Sequence, residues 1–153
     1  MQLTKNFSLH EFTKSNTAAR RGIDNNPTAE HIHNLVELCE HVLQPLRDAI
    51  GKSIRISSGY RSEALNEAIG GSKTSDHSFG RAADIELVVN GKEDNMQLFK
   101  TIKNLDLPYK QLIYEFGDED QPDWVHVAFE KGSERHEVLQ AYKDNGKTKY
   151  KFI

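Results

Sequence analysis

The longest amphipathic pattern in the chain lies in its N-terminal third and predicts a long helix. It follows the polar stretch 24–27, which ends at Pro27. Apolar residues then recur at helical spacing: Ile32, Leu35, Val36, Cys39, Val42, Leu43, Leu46 and Ile50. We expect Pro27 to occupy the first turn, Pro45 to kink the helix and Gly51 to end it.

Shorter patterns predict the other elements. Helices are expected over 7–12, 62–69 and 94–105, the first capped by Ser8 with Glu11 three residues on. Apolar runs predict strands over 54–57, 83–89, 111–116, 124–129 and 148–152, and the third and fourth of these are expected to pair. Asn90-Gly91 indicates a turn. Because helices come first and antiparallel strands later, the order favours an α+β fold.

Composition limits the classes of function. The chain has 153 residues, 37% hydrophobic and 28% charged, which is typical of a single globular domain spanning 1–153. The net charge of -3 gives no reason to expect nucleic acid as a partner. A single cysteine, Cys39, excludes an intrachain disulfide and a cysteine-based zinc knuckle. We expect a monomer.

The N-terminal residues and the longest apolar runs bear on localisation. Met1–Asn6 contains no hydrophobic segment of the kind that signal peptides carry. We therefore expect synthesis in the cytoplasm without a signal peptide, so that action on a cell wall would require release by another factor. No apolar run approaches the ~18 residues of a membrane span, so membrane insertion is not expected.

Two of the seven histidines stand out as candidate metal ligands. His77 lies in a loop rich in serine, threonine and glycine, and Asp84 follows seven residues later at the start of an apolar strand. His126 lies inside a second apolar strand. Two imidazoles and one carboxylate leave a fourth position open, as catalytic zinc sites do. The alternatives are that Asp84 pairs with Arg81 and that His126 is a satisfied core residue.

A spare carboxylate, Asp123, precedes His126 by three residues. A carboxylate that is not a ligand but lies beside the metal is the general base that such a site needs. Strict alternation along a strand would place Asp123 and His126 on opposite faces. The chain must therefore bend at Pro122-Asp123 if both are to meet one zinc ion.

Three motifs carry a resemblance to a known family. Ser75–Asp84 matches S-x-H-x-x-G-x-A-x-D at every fixed position, Ser58–Ser62 reads S-G-Y-R-S, and Asp123–His126 reads D-W-V-H. Over roughly residues 7–130 the chain resembles the zinc peptidases that cleave bacterial cell-wall peptides. These comprise D-Ala-D-Ala carboxypeptidases and dipeptidases and the L-alanoyl-D-glutamate endopeptidases of phage lysins. Gln111–Glu115 also resembles the strand before the final motif in phage-type members.

The resemblance implies a fold and a ligand set. The fold is that of the Hedgehog domain and the D,D-peptidases, a small antiparallel sheet that carries the zinc site and packs against N-terminal helices. One zinc ion per chain would be held by His77, Asp84 and His126. Asp123 would be the general base, where many members have glutamate. If substitution of Asp123 left activity intact, some other group, such as Glu115, would be the base.

The resemblance also assigns residues to the substrate. Arg61 would contact the substrate and the developing oxyanion, although its spacing alone favours a surface residue at a helix start. Ser75 would either bind substrate or shape its loop. Tyr114 and Trp124 would line the cleft or, equally well on the pattern alone, belong to the core.

The function implied is a zinc-dependent peptidase acting on peptidoglycan stem peptides, either as an endopeptidase or as a D,D-carboxypeptidase. The absence of a signal peptide and of a wall-binding module is typical of a phage lysin delivered by a separate factor, or of a virion-associated enzyme. A cytoplasmic D-Ala-D-Ala dipeptidase is a second interpretation. A third is a catalytically retired zinc-binding domain that serves as a binding or virion assembly module.

Overall fold

The N-terminal third of the protein is mainly helical in a computed structural model that describes residues 1–153. A two-stranded hairpin that the sequence pattern did not indicate comes first, and two short helices follow it. The elements are β1 (Gln2–Thr4), β2 (Phe7–Ser8), α1 (Leu9–Thr13) and α2 (Asn16–Arg21). The predicted cap of α1 is present, since the Glu11 carboxylate accepts the backbone N–H of Ser8 at 2.7 Å.

The long amphipathic stretch forms α3 (Ala29–Leu38), a π-helical segment (Cys39–Leu43) and α4 (Gln44–Ile50). The prediction that Pro27 occupies the first turn is wrong, because Thr28 caps α3 and Pro27 lies just before this cap. The predicted irregularity at Pro45 takes the form of the π segment just before it, because proline lacks an N–H and its ring crowds the preceding turn. Gly51 ends α4 with a left-handed φ of +70°.

The rest of the chain alternates between strands and short helices. In order these are β3 (Arg55–Ser58), α5 (Glu63–Ala68), β4 (Ala82–Glu86), β5 (Val88–Val89), β6 (Lys92–Glu93), α6 (Asn95–Asn104), β7 (Gln111–Glu115), β8 (Trp124–Ala128), β9 (Glu137–Asp144) and β10 (Lys147–Phe152). The β5–β6 hairpin turns at Asn90-Gly91, as predicted, and both residues have positive φ. β9 was not predicted, because its apolar and polar residues alternate too irregularly.

The main sheet has six strands in the order β10-β9-β7-β8-β4-β3. All neighbours are antiparallel except β7 and β9. β8 ends beside the start of β7, and β9 begins at the same end on the other side of β7, so β7 and β9 run in one direction. The α+β class is confirmed, with this one parallel pair added to the expected antiparallel sheet.

The helices pack on one face of the sheet and leave the other face open. Alternation along the central strands directs Ile85, Val125 and Leu112 into the core that the helices cover. The residues that alternate with these along each strand, including Asp84 and His126, therefore face the opposite side. None of the helices has both the length and the apolar character needed to cross a membrane.

Candidate metal centre

Strand register brings two of the three predicted ligands together. Asp84 on β4 lies directly opposite His126 on β8. His77 approaches from a 3₁₀ turn (Asp76–Phe79) that immediately precedes β4, and Ser75 caps that turn by accepting the backbone N–H of His77 at 3.3 Å. The three side chains are buried although the open face of the sheet carries them.

The spacing of the ligand atoms fits a tetrahedral metal site. The three candidate ligand atoms all lie within 4.8 Å of one another. Asp84 Oδ1 lies 3.3 Å from His77 Nε2 and 3.2 Å from His126 Nδ1. Zinc–ligand bonds of about 2.0–2.1 Å in tetrahedral geometry separate neighbouring ligand atoms by about 3.3 Å. The two distances from Asp84 Oδ1 to the histidine nitrogens therefore already match those around a bound zinc ion.

A backbone carbonyl fixes the orientation of His77. His77 Nδ1 lies 2.8 Å from the carbonyl oxygen of Gly59, to which it donates, so that Nε2 presents its lone pair to the metal position. Gly59 has no room for a side chain, since a Cβ there would lie 2.7 Å from the Phe12 Cα. The close packing of this glycine on α1 thus places the carbonyl that sets the histidine tautomer.

The protonation states are those of a metal-binding group. Burial lowers the pKa of His77, against the opposing effect of the Asp84 charge, so the imidazole is neutral. Burial alone would raise the pKa of Asp84, but its interactions with His77 and His126, including a hydrogen bond from each, outweigh burial and hold the pKa well below its usual range. A neutral imidazole beside an ionised carboxylate is the form that coordinates a metal ion.

Arg61 lies against this group and is largely buried. Its Nη2 is 3.5 Å from Asp84 Oδ2, the carboxylate oxygen that the histidines do not approach. Its Nε donates to Ser58 Oγ at 3.1 Å and its Nη1 to Asn66 Oδ1 at 3.4 Å. The guanidinium is therefore an anchored cation at the edge of the metal group and not a surface residue at a helix start.

The structure does not bring Asp123 to the metal group. Asp123 is exposed, lies at a bend directly before β8 and is not among the residues that line the cleft. Its backbone is fixed on the helical side by Asn95, whose Nδ2 donates to the Asp123 carbonyl at 3.0 Å. Its charge is one of those that, with burial, raise the pKa of Tyr114, whose side chain faces the helices. The bend at Asp123 therefore leaves its side chain outside the cleft.

Two acidic residues share the cleft with the candidate ligands, Asp76 and Glu115, and Asp76 is already paired with Lys110 at 2.9 Å. Glu115 ends β7 on the same face as Ile113, which lies directly opposite His126. Burial raises the pKa of the Glu115 carboxyl to about 7, although His126 and Arg61 oppose the rise. A carboxyl group titrating near neutrality beside a metal site is suited to accept a proton. The signal in the sequence was an acidic residue inside an otherwise apolar strand.

The remaining predicted site residues fall on both sides of the sheet. Ser75 and Trp124 line the cleft, which has a volume of ≈ 540 Å³. Tyr114 does not, because it points to the helical side, packs edge-on against Phe99 and donates its hydroxyl proton to the Asp118 carbonyl. The position of Ser75 is compatible both with binding substrate and with shaping its loop. Tyr114 is a core residue.

The other histidines lie away from this group, as the sequence indicated. His33 and His41 approach Glu37 along the long helix, and His31 Nδ1 accepts the backbone N–H of Thr28.

His126 Nε2 is buried without a hydrogen-bond partner. An unpaired buried nitrogen costs on the order of 1–3 kcal/mol. Such a cost is tolerated at sites where the other ring nitrogen has a function.

Comparison with known proteins places these residues in a family. The family model for peptidase M15 matches residues 5–128, a range that contains the three ligands, Arg61 and Glu115. No curated protein sequence matches the chain.

Proposed function

The chain belongs to the peptidase M15 family, and we propose that it is a zinc-dependent peptidase that hydrolyses the stem peptides of bacterial peptidoglycan. Peptidases of this family are zinc-dependent metallopeptidases. One observation supports the assignment above all: the ligand atoms of His77, Asp84 and His126 lie within 4.8 Å of one another, in the same cleft as Arg61 and Glu115.

The three ligands would hold one zinc ion and leave its remaining position toward the cleft. Bound zinc would act as a Lewis acid, polarising the scissile carbonyl and lowering the pKa of a coordinated water toward ~7. His77 is pre-oriented for this by Gly59, and Asp84 by Arg61. The ligands therefore need little reorganisation, which is what a preformed catalytic site requires.

We assign the general base to Glu115. Its carboxylate accepts a proton from the attacking water and passes it to the leaving amine, both within the cleft that it lines. In the metal-free protein, burial raises its pKa to about 7, so the group exchanges a proton near neutrality. Asp123, the base implied by the motif resemblance, has its side chain in solvent outside the cleft.

Arg61 has two roles in this proposal. By pairing with Asp84 Oδ2 it orients the carboxylate so that Oδ1 faces both histidines. A guanidinium also has more N–H donors than Ser58, Asn66 and Asp84 occupy. The free donors can stabilise the oxygen that gains negative charge in the transition state.

The stem-peptide substrate and the setting rest on the motif resemblance. The S-G-Y-R-S and S-x-H-x-x-G-x-A-x-D segments resemble those of cell-wall peptidases of the phage-lysin type. We therefore propose an enzyme that reaches the wall after release by another factor or as part of a virion. A retired site that only binds zinc would have no need of the Glu115 carboxyl group, whose burial is costly.

Zymography on purified peptidoglycan tests the proposal. The protein is expected to clear the wall material, to lose that activity with a chelator and to regain it with zinc but not with magnesium. A zinc-loaded, folded protein that never clears peptidoglycan would contradict the proposed substrate.

A further inference from the structure

One wall of the cleft comes from outside the residues that the family model matches. The match ends at residue 128. The β9–β10 hairpin lies beyond it and contributes Leu139, Thr148 and Tyr150 to the lining of the cleft. The hairpin is attached through β9, whose first five residues, 137–141, pair with the whole of β7. It therefore forms a rigid side of the site.

The register of the sheet places Tyr150 in one row with Glu115. Tyr150 lies opposite Ala141, and Ala141 lies opposite Glu115. Tyr150 and Glu115 are thus two strands apart, roughly 10 Å between backbones. The residue between them is a fully buried alanine, whose single methyl group leaves space above it. Tyr150 and Glu115 therefore line the same face of the sheet, with only this methyl group between them.

The hydroxyl of Tyr150 is free and remains protonated. Tyr150 Oη makes no hydrogen bond within the protein, and about half of the side chain is exposed, 54%. Burial of the remainder and the charges of Glu115 and Asp84 raise the pKa of the phenol. These carboxylates act on the phenol through space, which agrees with the placement that the register gives. The cleft thus holds an uncommitted hydrogen-bond donor beside the proposed base.

We infer that Tyr150 is a substrate-binding residue, whose phenolic O–H donates a hydrogen bond to a backbone carbonyl of the peptide lying over Glu115. This inference rests on the proposed peptidase function. The ring would close the side of the cleft opposite the loop that carries His77. The β9–β10 hairpin would then determine which peptides fit.

The test compares Tyr150→Phe with Tyr150→Ala, and with Tyr142→Phe as the matched control. Tyr142 belongs to the same hairpin but alternates to its other face, where Lys151 covers its ring. The binding probe is acetyl-D-alanine hydroxamate, which carries one peptide carbonyl beside a metal-chelating group. Its Kd for zinc-loaded protein would be measured by calorimetry, with zinc content and Tm measured for each variant.

We expect the Kd of the hydroxamate to rise about 3- to 10-fold in Tyr150→Phe, the range for loss of one hydrogen bond. Tyr150→Ala should weaken binding further, because the ring contact is lost as well, and Tyr142→Phe should bind like wild type. KM for peptidoglycan fragments should rise in the same order. Unchanged Kd in both Tyr150 variants, at equal zinc content and Tm, would overturn the inference.

The two proposals fail in different ways. If Tyr150→Phe weakens hydroxamate binding but wild type does not cleave peptidoglycan, the substrate proposal is wrong and the role of Tyr150 stands. If wild type cleaves peptidoglycan and both Tyr150 variants match it in Kd and KM, the role of Tyr150 is wrong and the function stands. A zinc-loaded wild type that neither binds the hydroxamate nor cleaves the wall contradicts both.

Discussion

Asp84 and His126 lie directly opposite each other on neighbouring antiparallel strands, with Asp84 Oδ1 3.2 Å from His126 Nδ1. The same oxygen lies 3.3 Å from His77 Nε2, so one carboxylate atom is shared by both imidazoles. Strand pairing fixes the first contact and the loop before β4 supplies the second. The metal group is therefore built into the sheet, and loss of one ligand should affect metal binding more than folding.

Replacing His77 with alanine should abolish tight zinc binding. The remaining two ligands provide only one imidazole and one carboxylate, too few for a catalytic zinc site. Zinc content after dialysis, measured by mass spectrometry of the metal, should fall from one ion per chain to a small fraction. His33→Ala is the control, because His33 is an exposed partner of Glu37 on the long helix. Equal zinc content in the two variants would exclude His77 as a ligand.

Two amide substitutions, Glu115→Gln and Asp123→Asn, distinguish which of the two carboxylates is the general base. Glu115→Gln should retain zinc and lose on the order of 10²–10⁴ in kcat, the usual scale for general acid–base catalysis. Asp123→Asn should retain most of the activity, because its side chain lies in solvent outside the cleft. Steady-state kinetics at matched zinc content gives the comparison. The reverse order, a severe loss in Asp123→Asn alone, would restore Asp123 as the base.

In the zinc-free protein, Glu115 should make stability depend on pH. Its pKa is raised in the folded state from 4.5 to about 7, so the protonated form stabilises the fold. That contribution is fully present below about pH 4.5 and is lost as the pH rises through about 7. As the pH rises from about 5 to about 8, the free energy of unfolding should fall by roughly 2–3 kcal/mol through this group.

The comparison of wild type with Glu115→Gln isolates this contribution. His77 acts in the opposite direction, since its lowered pKa removes stability as the pH falls, but it is present in both proteins. Urea unfolding in the presence of a chelator should show the variant gaining stability relative to wild type as the pH rises. A difference between the two proteins that does not change with pH would show that Glu115 is not buried as a neutral group.

Arg61 should be sensitive even to a conservative change. Its Nε and Nη atoms contact three different partners, a geometry that lysine cannot reproduce. Arg61→Lys should lose much of kcat/KM, and Arg61→Ala should lose about 10²–10³-fold, similar to removal of one oxyanion-hole donor. Equal kcat/KM in the three proteins at matched zinc content would remove Arg61 from the site.

Much of the metal group could be predicted from the sequence, because its signals are local. His77 and Asp84 lie within one ten-residue motif, and His126 lies in a strand whose apolar neighbours make a histidine conspicuous. The positions of most helices and strands could be predicted for the same reason, because hydrophobic periodicity is also a local signal. The pairing of β4 with β8 then brought the two motifs together.

What the sequence did not indicate depends on long-range register. Glu115 reaches the cleft only because β7 pairs with β8 so that Ile113 faces His126. Asp123 seemed better placed by its distance of three residues from His126, but it lies at a bend before β8 and outside the cleft. The parallel pairing of β9 with β7 was likewise beyond local pattern, since nothing in the segment itself specifies its neighbour.

The most direct test of the whole account is mass spectrometry of the fragments released from purified peptidoglycan. Zinc-loaded wild type should generate new amine and carboxyl termini within the stem peptides, each cleavage adding one water, and zinc-loaded Glu115→Gln should generate almost none. The masses would also identify the bond and separate an endopeptidase from a D,D-carboxypeptidase. Intact stem peptides after incubation with the zinc-loaded wild-type protein would contradict the account.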